Sequence, residues 1–214
     1  MKKHTKGLFI SFEGPDKAGK STQIKLLSEN LNKAGYQTLL TREPGGTKLG
    51  EAIRNILLNF KDENICPEAE LLLFGASRAQ LIHQFIKPNL AAGKIILCDR
   101  FIDSTSAYQG KARGIDMNFI ETLHDFCLAG YEPDITIFLD LEVSESLARL
   151  RKIQPDFDDD DRFEEENQQF HRLVREGFLE QAAKNKDRIR CFDATLPIDV
   201  LADKIFQELK NVLG

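Results

Sequence analysis

One short segment near the amino terminus constrains the fold of this chain more than any other feature. Residues Gly14–Ser21 have the sequence Gly-Pro-Asp-Lys-Ala-Gly-Lys-Ser, which matches the spacing G-x-x-x-x-G-K-[ST] of a phosphate-binding loop. In such a loop, successive backbone N–H groups point at phosphate oxygens, and the following helix directs its positive end at the same atoms. The motif therefore predicts a strand, a tight loop and a helix in that order.

The sequences on either side of the motif fit this prediction. The apolar run Leu8–Phe12 indicates a strand, and apolar residues at helical spacing indicate a first helix from about Gly19 to Ala34. We expect Lys20 to place a positive charge at the β- and γ-phosphates of a nucleotide, and the hydroxyl of Ser21 to bind Mg²⁺.

Strand-like and helix-like segments alternate along the rest of the chain. This alternation is typical of an α/β protein with a parallel sheet, in which ligands bind at the carboxyl ends of the strands. We predict one domain over residues 1–214. The further strands are expected at 37–41, 94–99, 135–139 and 188–192, and the further helices at about 49–59, from 67 onward, 88–93, 116–129, 143–152, 163–184 and 198–212.

Composition limits the classes of partner. The formal net charge of -5 argues against a general nucleic-acid-binding protein. No apolar run is long enough to span a membrane, and the apolar run after the basic first residues is too short for a signal peptide. The four cysteines form no C-x-x-C pair, which favours free thiols, two of them buried, in the reducing cytoplasm.

Charged residues follow two of the predicted strands. Asp99 and Arg100 end one strand, and Arg42 ends another. Asp99 is suited to hold the Mg²⁺ shell, and the two arginines are suited to grip a phosphoryl group on a second substrate. Alternatively, Asp99 is a helix cap or forms a plain ion pair with Arg100, and each arginine is an ordinary surface residue.

One further group of residues is a candidate for recognition of a nucleobase, and another for recognition of a small polar ligand. Phe74 and Arg78 are one helical turn apart, so that a ring and a guanidinium share one face of a helix. The alternative is a core phenylalanine beside a solvent-facing arginine. Ser104, Tyr108 and Gln109 offer hydroxyl and amide groups shortly after Asp99–Arg100.

Taken together, these motifs resemble the thymidylate kinase family. The resemblance extends over nearly the whole chain, and its Arg-Glu-Pro-Gly-Gly and Asp-Arg-[aromatic]-x-x-Ser-x-x-Ala-Tyr-Gln signatures are specific among P-loop kinases. It implies a P-loop three-layer fold, with a five-stranded parallel sheet flanked by helices, a short lid at about 149–163, and a homodimer. The matching segments are Phe12–Thr22, Arg42–Thr47, Phe74 with Arg78, Asp99–Gln109 and Asp193–Thr195.

The resemblance also implies an activity, which is transfer of the γ-phosphoryl group of ATP to dTMP with Mg²⁺, on the path to dTTP. ATP would be bound by Gly14, Pro15, Asp16, Lys17, Ala18, Gly19, Lys20, Ser21, Thr22, Arg149, Asp193, Ala194 and Thr195. The dTMP site would comprise Asp16, Arg42, Phe74, Arg78, Arg100, Ser104, Tyr108 and Gln109. Ser21 and Asp99 would hold the metal, and Asp16, Lys17, Lys20, Arg100 and Arg151 would be catalytic.

The chain departs from the family at two places. Position 17 is a lysine, where family members have either glycine or arginine, and the lid region combines basic residues with the acidic run Asp158–Asp161. We predict that Lys17 shares the stabilisation of transition-state charge with Arg151. The alternative for Lys17 is a solvated side chain, and the acidic run is interpreted as a solvated part of the lid.

Two other functions remain open at this point. One is a kinase for another nucleoside or deoxynucleoside monophosphate, and the other is a non-catalytic nucleotide-binding module. A second phosphate clamp argues against a module that only binds nucleotide. A GTPase is disfavoured because the chain lacks an N-K-x-D guanine-recognition motif in the right register.

Overall fold

The computed structural model describes residues 7–61, 64–153 and 168–213. The strands are β1 (Leu8–Glu13), β2 (Thr38–Arg42), β3 (Ile95–Asp99), β4 (Ile135–Asp140) and β5 (Ile189–Asp193). The helices are α1 (Lys20–Lys33), α2 (Lys48–Asn59), α3 (Pro67–Leu81), α4 (Lys87–Ala91), α5 (Ile102–Thr105), α6 (Met117–Leu128), α7 (Val143–Ile153), α8 (Gln168–Lys184) and α9 (Ile198–Leu213).

The five strands form one parallel sheet in the order β2-β3-β1-β4-β5. The strand β1 is central and buried along its whole length, as its apolar sequence requires. Phe12 of β1 and Arg42 of β2 both pair with Asp99 of β3, so these three strands end at the same level. The predicted parallel sheet is confirmed, and β3 lies beside β1.

Helices cover both faces of the sheet and give it three layers. On one face, α1 and α9 pack through residues such as Leu27, Leu31 and Ile205 against Ile10 and Leu97. On the other face, two clusters around Phe9 and Phe138 join the sheet to α3, α6 and α8. The P-loop three-layer α/β fold implied by the resemblance is therefore confirmed.

Two helical regions differ from the sequence-based expectation. The helix beginning at Pro67 continues through a π-helical turn, Ile82–Ile86, into α4, and this wider turn lies next to Pro88, whose missing N–H weakens a regular helix there. The sequence analysis predicted no helix between Asp99 and Asp116. The chain there instead forms α5 and a π-helical segment, Ser106–Ala112.

Two predictions reach into residues outside the described ranges. Helix α8 is described from Gln168 onward, so its predicted start at Phe163 is not tested. Most of the predicted lid, including Asp158–Asp161, also lies outside the description. Among the described residues, no helix combines the length and the apolar character needed to cross a membrane.

Candidate active site

The phosphate-binding loop joins β1 to α1 through backbone conformations that its glycines supply. Gly14 has a φ of 136°, and a Cβ atom there would lie 2.4 Å from the carbonyl oxygen of Leu139. Gly19 has a φ of 94° and precedes the first turn of α1. These positions let the loop curl closely against β4 and present its N–H groups on the open side.

Lys20 lies folded over the loop. Its side chain is buried, and Nζ donates hydrogen bonds to the carbonyl oxygens of Gly14 at 3.0 Å and Pro15 at 2.9 Å. Burial and the nearby charge of Arg100 lower the pKa of Lys20 to about 8, against the attraction of Asp16 and Asp99. A bound anion at the loop would raise this pKa and further favour the charged form of the lysine.

Ser21 and Asp99 meet at the start of α1. The Ser21 hydroxyl donates to Asp99 Oδ2 at 2.9 Å, because the register of β1 and β3 brings the end of β3 beside the loop. Arg100 pairs with Asp16 and not with Asp99, so the alternative of a plain Asp99–Arg100 ion pair is wrong. The arrangement provides a hydroxyl and a carboxylate, the oxygen donors that suit Mg²⁺.

Arg100 is held by partners from separate parts of the chain. Its Nη2 pairs with Asp16, its Nη1 donates to Ser104 Oγ at 3.2 Å, and its guanidinium lies 5.1 Å from the ring centroid of Tyr108. The backbone of Arg100 has a φ of 66°, which is uncommon for a non-glycine residue and recurs at functional sites. Burial alone would raise the pKa of Asp16, but Arg100 and Lys20 outweigh it and lower that pKa to about 2.

Glu13 orders the turn that carries Arg100, and sequence reasoning assigned it no role. This fully buried carboxylate accepts the Phe101 N–H at 2.8 Å and the Ser104 hydroxyl at 2.5 Å. Burial and the repulsion of Asp103 raise the pKa of Glu13 to about 7, although Ser104 and Arg100 oppose the shift. A charged residue at the end of an otherwise apolar strand was the available signal.

Helix α3 presents a stripe of residues toward the site. Glu70, Phe74 and Arg78 recur every four residues and therefore share one face. Arg78 is 1% exposed and donates through Nε and Nη2 to Glu43 at 2.9 and 2.7 Å, and through Nη2 to Thr105 at 2.8 Å. The alternative of a solvent-facing arginine is therefore wrong.

The Nη1 atom of Arg78 differs from the other nitrogen atoms of its guanidinium. It is buried and has no hydrogen-bond partner within residues 7–61, 64–153 and 168–213. A buried donor without a partner costs free energy, which a ligand oxygen at this position would recover. Because Arg78 lines a cavity, its Nη1 is a candidate donor to a ligand.

The π-helical segment Ser106–Ala112 carries two of the predicted recognition residues. Tyr108 packs its ring against Phe170 and Phe178 of α8, and burial raises the pKa of its hydroxyl. Gln109 is buried and donates through Nε2 to Glu70 at 2.8 Å. Such π-helical turns are frequent at functional sites, where they change the direction of side chains.

One cavity of about 680 Å³ brings most of the predicted residues together. The predicted ATP and metal residues that line it are Asp16, Lys17, Gly19, Lys20, Ser21, Thr22, Asp99 and Arg149. The predicted dTMP residues that line it are Asp16, Arg42, Phe74, Arg78, Arg100, Ser104, Tyr108 and Gln109. Lys17 is half-buried there and has a φ of 59°, and its role stays a prediction.

Some predicted residues do not line this cavity. Gly14, Pro15 and Ala18 form the buried back of the loop. The turn Asp193–Thr195 lies at the end of β5 and is linked to the site by Arg149, which donates to the carbonyl oxygens of Ala194 at 3.0 Å and Lys17 at 3.3 Å. Arg151 belongs to α7, and its side chain lies outside the description.

Arg42 is the most open member of the site. Its side chain is 53% exposed and pairs with Glu51 of α2 at 2.8 Å. Its position at the end of β2 places it opposite Asp99 in the register of the sheet. The pairing leaves Arg42 at the rim of the cavity, where a ligand phosphate would compete with Glu51.

The fold and the site together define a P-loop protein with a nucleotide-phosphate loop and a second recognition pocket in the same cavity. The family model described as thymidylate kinase matches residues 12–205. With this match, the chain belongs to the thymidylate kinase family.

Individual relatives agree with this assignment. A thymidylate kinase of Dehalococcoides mccartyi is 45% identical over 207 residues, which cover 97% of both chains. One of Thermomicrobium roseum is 45% identical over 205 residues, with 96% of this chain and 95% of the relative covered. The crystal structure of thymidylate kinase from Ehrlichia chaffeensis superimposes with a TM-score of 0.76 at 36% identity, covering 96% of this chain and 99% of that chain.

Proposed function

We propose that this enzyme transfers the γ-phosphoryl group of ATP to dTMP and releases dTDP and ADP, which supplies the synthesis of dTTP. The observation that carries the proposal is that a single cavity joins a phosphate-binding loop to two arginines and to a ring, a guanidinium and an amide suited to a base. A protein that only bound ATP would have no need of the two arginines and the base-recognition residues.

The loop and its neighbours bind ATP in this proposal. The backbone N–H groups of residues 14–22 other than Pro15 hold the phosphates, and Lys20 exchanges its two carbonyl partners for phosphate oxygens. Arg149, held between Lys17 and Ala194, and the turn Asp193–Thr195 lie beside adenine. The loop and Lys20 lie at the amino-terminal end of α1, which favours negative charge.

Ser21 and Asp99 hold Mg²⁺ in this proposal. Their oxygen atoms lie 2.9 Å apart at the loop, and hydroxyl and carboxylate oxygens are the donors that Mg²⁺ prefers. When bound with the nucleotide, the ion neutralises charge on the phosphate oxygens. The protein contributes the two donors and the fixed end of β3.

Arg100 and Arg42 hold the phosphate of dTMP. Arg100 is preset by Asp16, Ser104 and Tyr108, and it presents a planar guanidinium that suits two phosphate oxygens. Arg42 leaves Glu51 to join it. Asp16, already beside Arg100, is within reach of the sugar 3′-hydroxyl or the metal shell.

The thymine ring lies against Phe74 and is recognised by Arg78 and Gln109, while Tyr108 lines the sugar and base site. Support comes from the buried Nη1 of Arg78, which donates to no protein group in the described ranges and suits the base carbonyl oxygen. The fixed pairing of Arg78 with Glu43 keeps this donor in place. Recognition therefore requires little rearrangement of the buried side chains.

Catalysis in this proposal rests on position and charge. The attacking oxygen belongs to a phosphate that is already anionic, so no strong general base is required. In-line placement of the two phosphates, together with Lys20, Arg100, Lys17 and Arg151, lowers the barrier by stabilising charge on the transferred group. The place of Lys17 in the loop beside Asp16, at the wall of the cavity, supports this role.

We also propose that two copies of the chain associate through the outer faces of α3 and α6. Leu72 is 54% exposed, Phe119 51% and Phe126 82% on these two packed helices. Exposed large apolar side chains grouped on one side favour an interface. Location in the cytoplasm stays a prediction.

A coupled assay with ATP and a panel of monophosphates tests the proposed function. We expect ADP formation to be fastest with dTMP, compared with dUMP, UMP and dGMP as acceptors. Faster turnover of another monophosphate would contradict dTMP as the substrate and identify that monophosphate as the preferred acceptor. ADP formation that does not respond to any monophosphate would favour a nucleotide-binding module.

A further inference from the structure

A buried carboxylate on α3 contacts one of the proposed base-recognition residues directly. Glu70 is 0% exposed, and its Oε1 accepts the Nε2 of Gln109 at 2.8 Å. The same oxygen lies 3.5 Å from Nε of Arg113, whose guanidinium is placed 4.8 Å from the ring centroid of Phe170. Glu70 therefore accepts a hydrogen bond from Gln109 and forms an ion pair with Arg113.

This contact fixes which end of the Gln109 amide faces Glu70. A carboxylate paired with a guanidinium only accepts hydrogen bonds, so the NH₂ end of the amide must point at it. The reversed amide would set two acceptor oxygens against each other in a buried place. The carbonyl oxygen Oε1 of Gln109 is then left for the cavity, and no donor to it lies among the described residues.

Arg78 and Gln109 differ in whether rotation of the side chain changes the hydrogen-bonding group that faces the base. Glu43 holds Arg78 in place, but a guanidinium donates in every orientation. Gln109 presents an acceptor or a donor depending on its rotation. The hydrogen-bonding pattern offered to the base therefore depends on the group that orients Gln109, which is Glu70.

The pattern that results is a donor from Arg78 and an acceptor from Gln109. A 4-keto pyrimidine such as thymine offers the complement, with an acceptor at O4 and a donor at N3–H. A 4-amino pyrimidine such as cytosine offers the reverse at both atoms. We propose that Glu70 is a positioning residue that sets selectivity for 4-keto over 4-amino pyrimidine monophosphates by holding the Gln109 amide in one orientation.

This inference rests on the proposed function, because it assumes that the base lies against Phe74, Arg78 and Gln109. It is distinct from the structural contribution of the Glu70–Arg113 pair. A structural role alone would affect stability and all substrates equally. A positioning role changes the ratio between two substrates that differ only at N3 and C4.

The test compares kcat/KM for dTMP with that for 5-methyl-dCMP, which share the sugar, the phosphate and the 5-methyl group. We expect the wild-type enzyme to prefer dTMP by about 10⁴-fold, the range for a site built to hydrogen-bond its substrate. Glu70→Met removes the acceptor and should lower this preference by about 10- to 100-fold, as one oriented hydrogen bond is lost. The KM for dTMP should rise more than kcat falls.

Two variants separate orientation from charge and from fold. Glu70→Gln keeps a carbonyl oxygen that accepts the Gln109 amide, so it should keep the preference within about threefold of wild type. Glu180→Met is the matched control, because Glu180 accepts Lys111 from the same π-helical segment at 2.6 Å on its outer side. It should leave the ratio unchanged.

The outcomes distinguish the inference from the proposed function. An enzyme that does not phosphorylate dTMP contradicts the proposed function. An enzyme that does so, but shows no preference over 5-methyl-dCMP or keeps its preference in Glu70→Met, contradicts only the role of Glu70. If Glu70→Met fails to fold by circular dichroism, Gln109→Met must lose the preference by a similar factor, and retention of the preference there overturns the inference.

Discussion

The two ends of the cavity are built in different ways. The proposed ATP end is built from one continuous loop, and Lys20 donates to carbonyl oxygens of the same loop. At the dTMP end, side chains from distant elements converge, and buried carboxylates hold them, as Glu43 holds Arg78. The difference implies that substitutions at the ATP end lower activity with little effect on the free energy of unfolding. Substitutions at the dTMP end should lower both.

The largest effect is expected from Arg78→Met at the dTMP end. This change leaves the Glu43 carboxylate buried without its guanidinium, which should lower the free energy of unfolding by ~3–5 kcal/mol and abolish saturation by dTMP. Urea unfolding and steady-state kinetics measure the two effects.

A double variant, Glu43→Met with Arg78→Met, serves as the control. It should recover most of the stability, since an apolar pair can replace a buried ion pair, without recovering dTMP binding. Wild-type affinity for dTMP in the double variant would show that Arg78 does not bind dTMP.

Lys20→Met removes a positive charge from the ATP end of the cavity. We expect kcat/KM to fall by ~10²–10³-fold through loss of a charge at the transferred phosphoryl group. The free energy of unfolding should change by only ~1 kcal/mol, because among the described residues the side chain donates hydrogen bonds to two loop carbonyl oxygens alone. Lys25→Met, an exposed lysine of the same helix, is the control, and a similar loss of activity there would contradict a specific role for Lys20.

Much of the ATP end was predictable because its information is local. The spacing of Gly14, Gly19, Lys20 and Ser21 specifies loop, helix and charge within one short segment. The parallel sheet also followed from the alternation of strands and helices. The meeting of Ser21 with Asp99 required only the position of β3 beside β1.

The dTMP end was less predictable, for a physical reason. The sequence offered Phe74, Arg78 and Gln109 as separate candidates. The buried carboxylates that hold Arg78 and Gln109 come from other elements of the fold. A buried glutamate is recognisable only once its partner is placed. The helical spacing of Glu70 with Phe74 and Arg78 was a usable signal, whereas the π-helical segment had none that we recognised.

The protonation of Glu13 makes the free energy of unfolding depend on pH. Its folded-state pKa of about 7 lies above the ordinary 4.5, so between these values the unfolded chain releases a proton that the folded chain keeps. The contribution to stability is therefore full below about pH 4.5 and is lost as the pH rises through 7. Relative to wild type, Glu13→Gln should gain ~1–3 kcal/mol in free energy of unfolding between pH 4.5 and pH 8.

Urea unfolding of both proteins across this pH range measures the difference. Glu180→Gln changes an exposed glutamate outside the site and provides the control for the substitution itself. A difference between wild type and Glu13→Gln that stays constant with pH would show that Glu13 does not take up a proton on folding.

Lys17→Met should have the smallest effect. If Lys17 contributes charge in the transition state, kcat falls by ~10-fold while the KM for ATP changes little. Lys17→Gly, which relieves the positive φ but also removes the charge, should lose kcat to a similar extent. Unchanged kcat in both variants would leave the charge role to other residues of the site.

The most direct test of the central claim follows a γ-labelled phosphoryl group from ATP. With dTMP present, we predict that the label appears in dTDP in a one-to-one ratio with the ADP formed, and that ADP formation nearly stops without dTMP. Label that appears as inorganic phosphate at the same rate with or without dTMP would contradict a cavity built for transfer between two nucleotides.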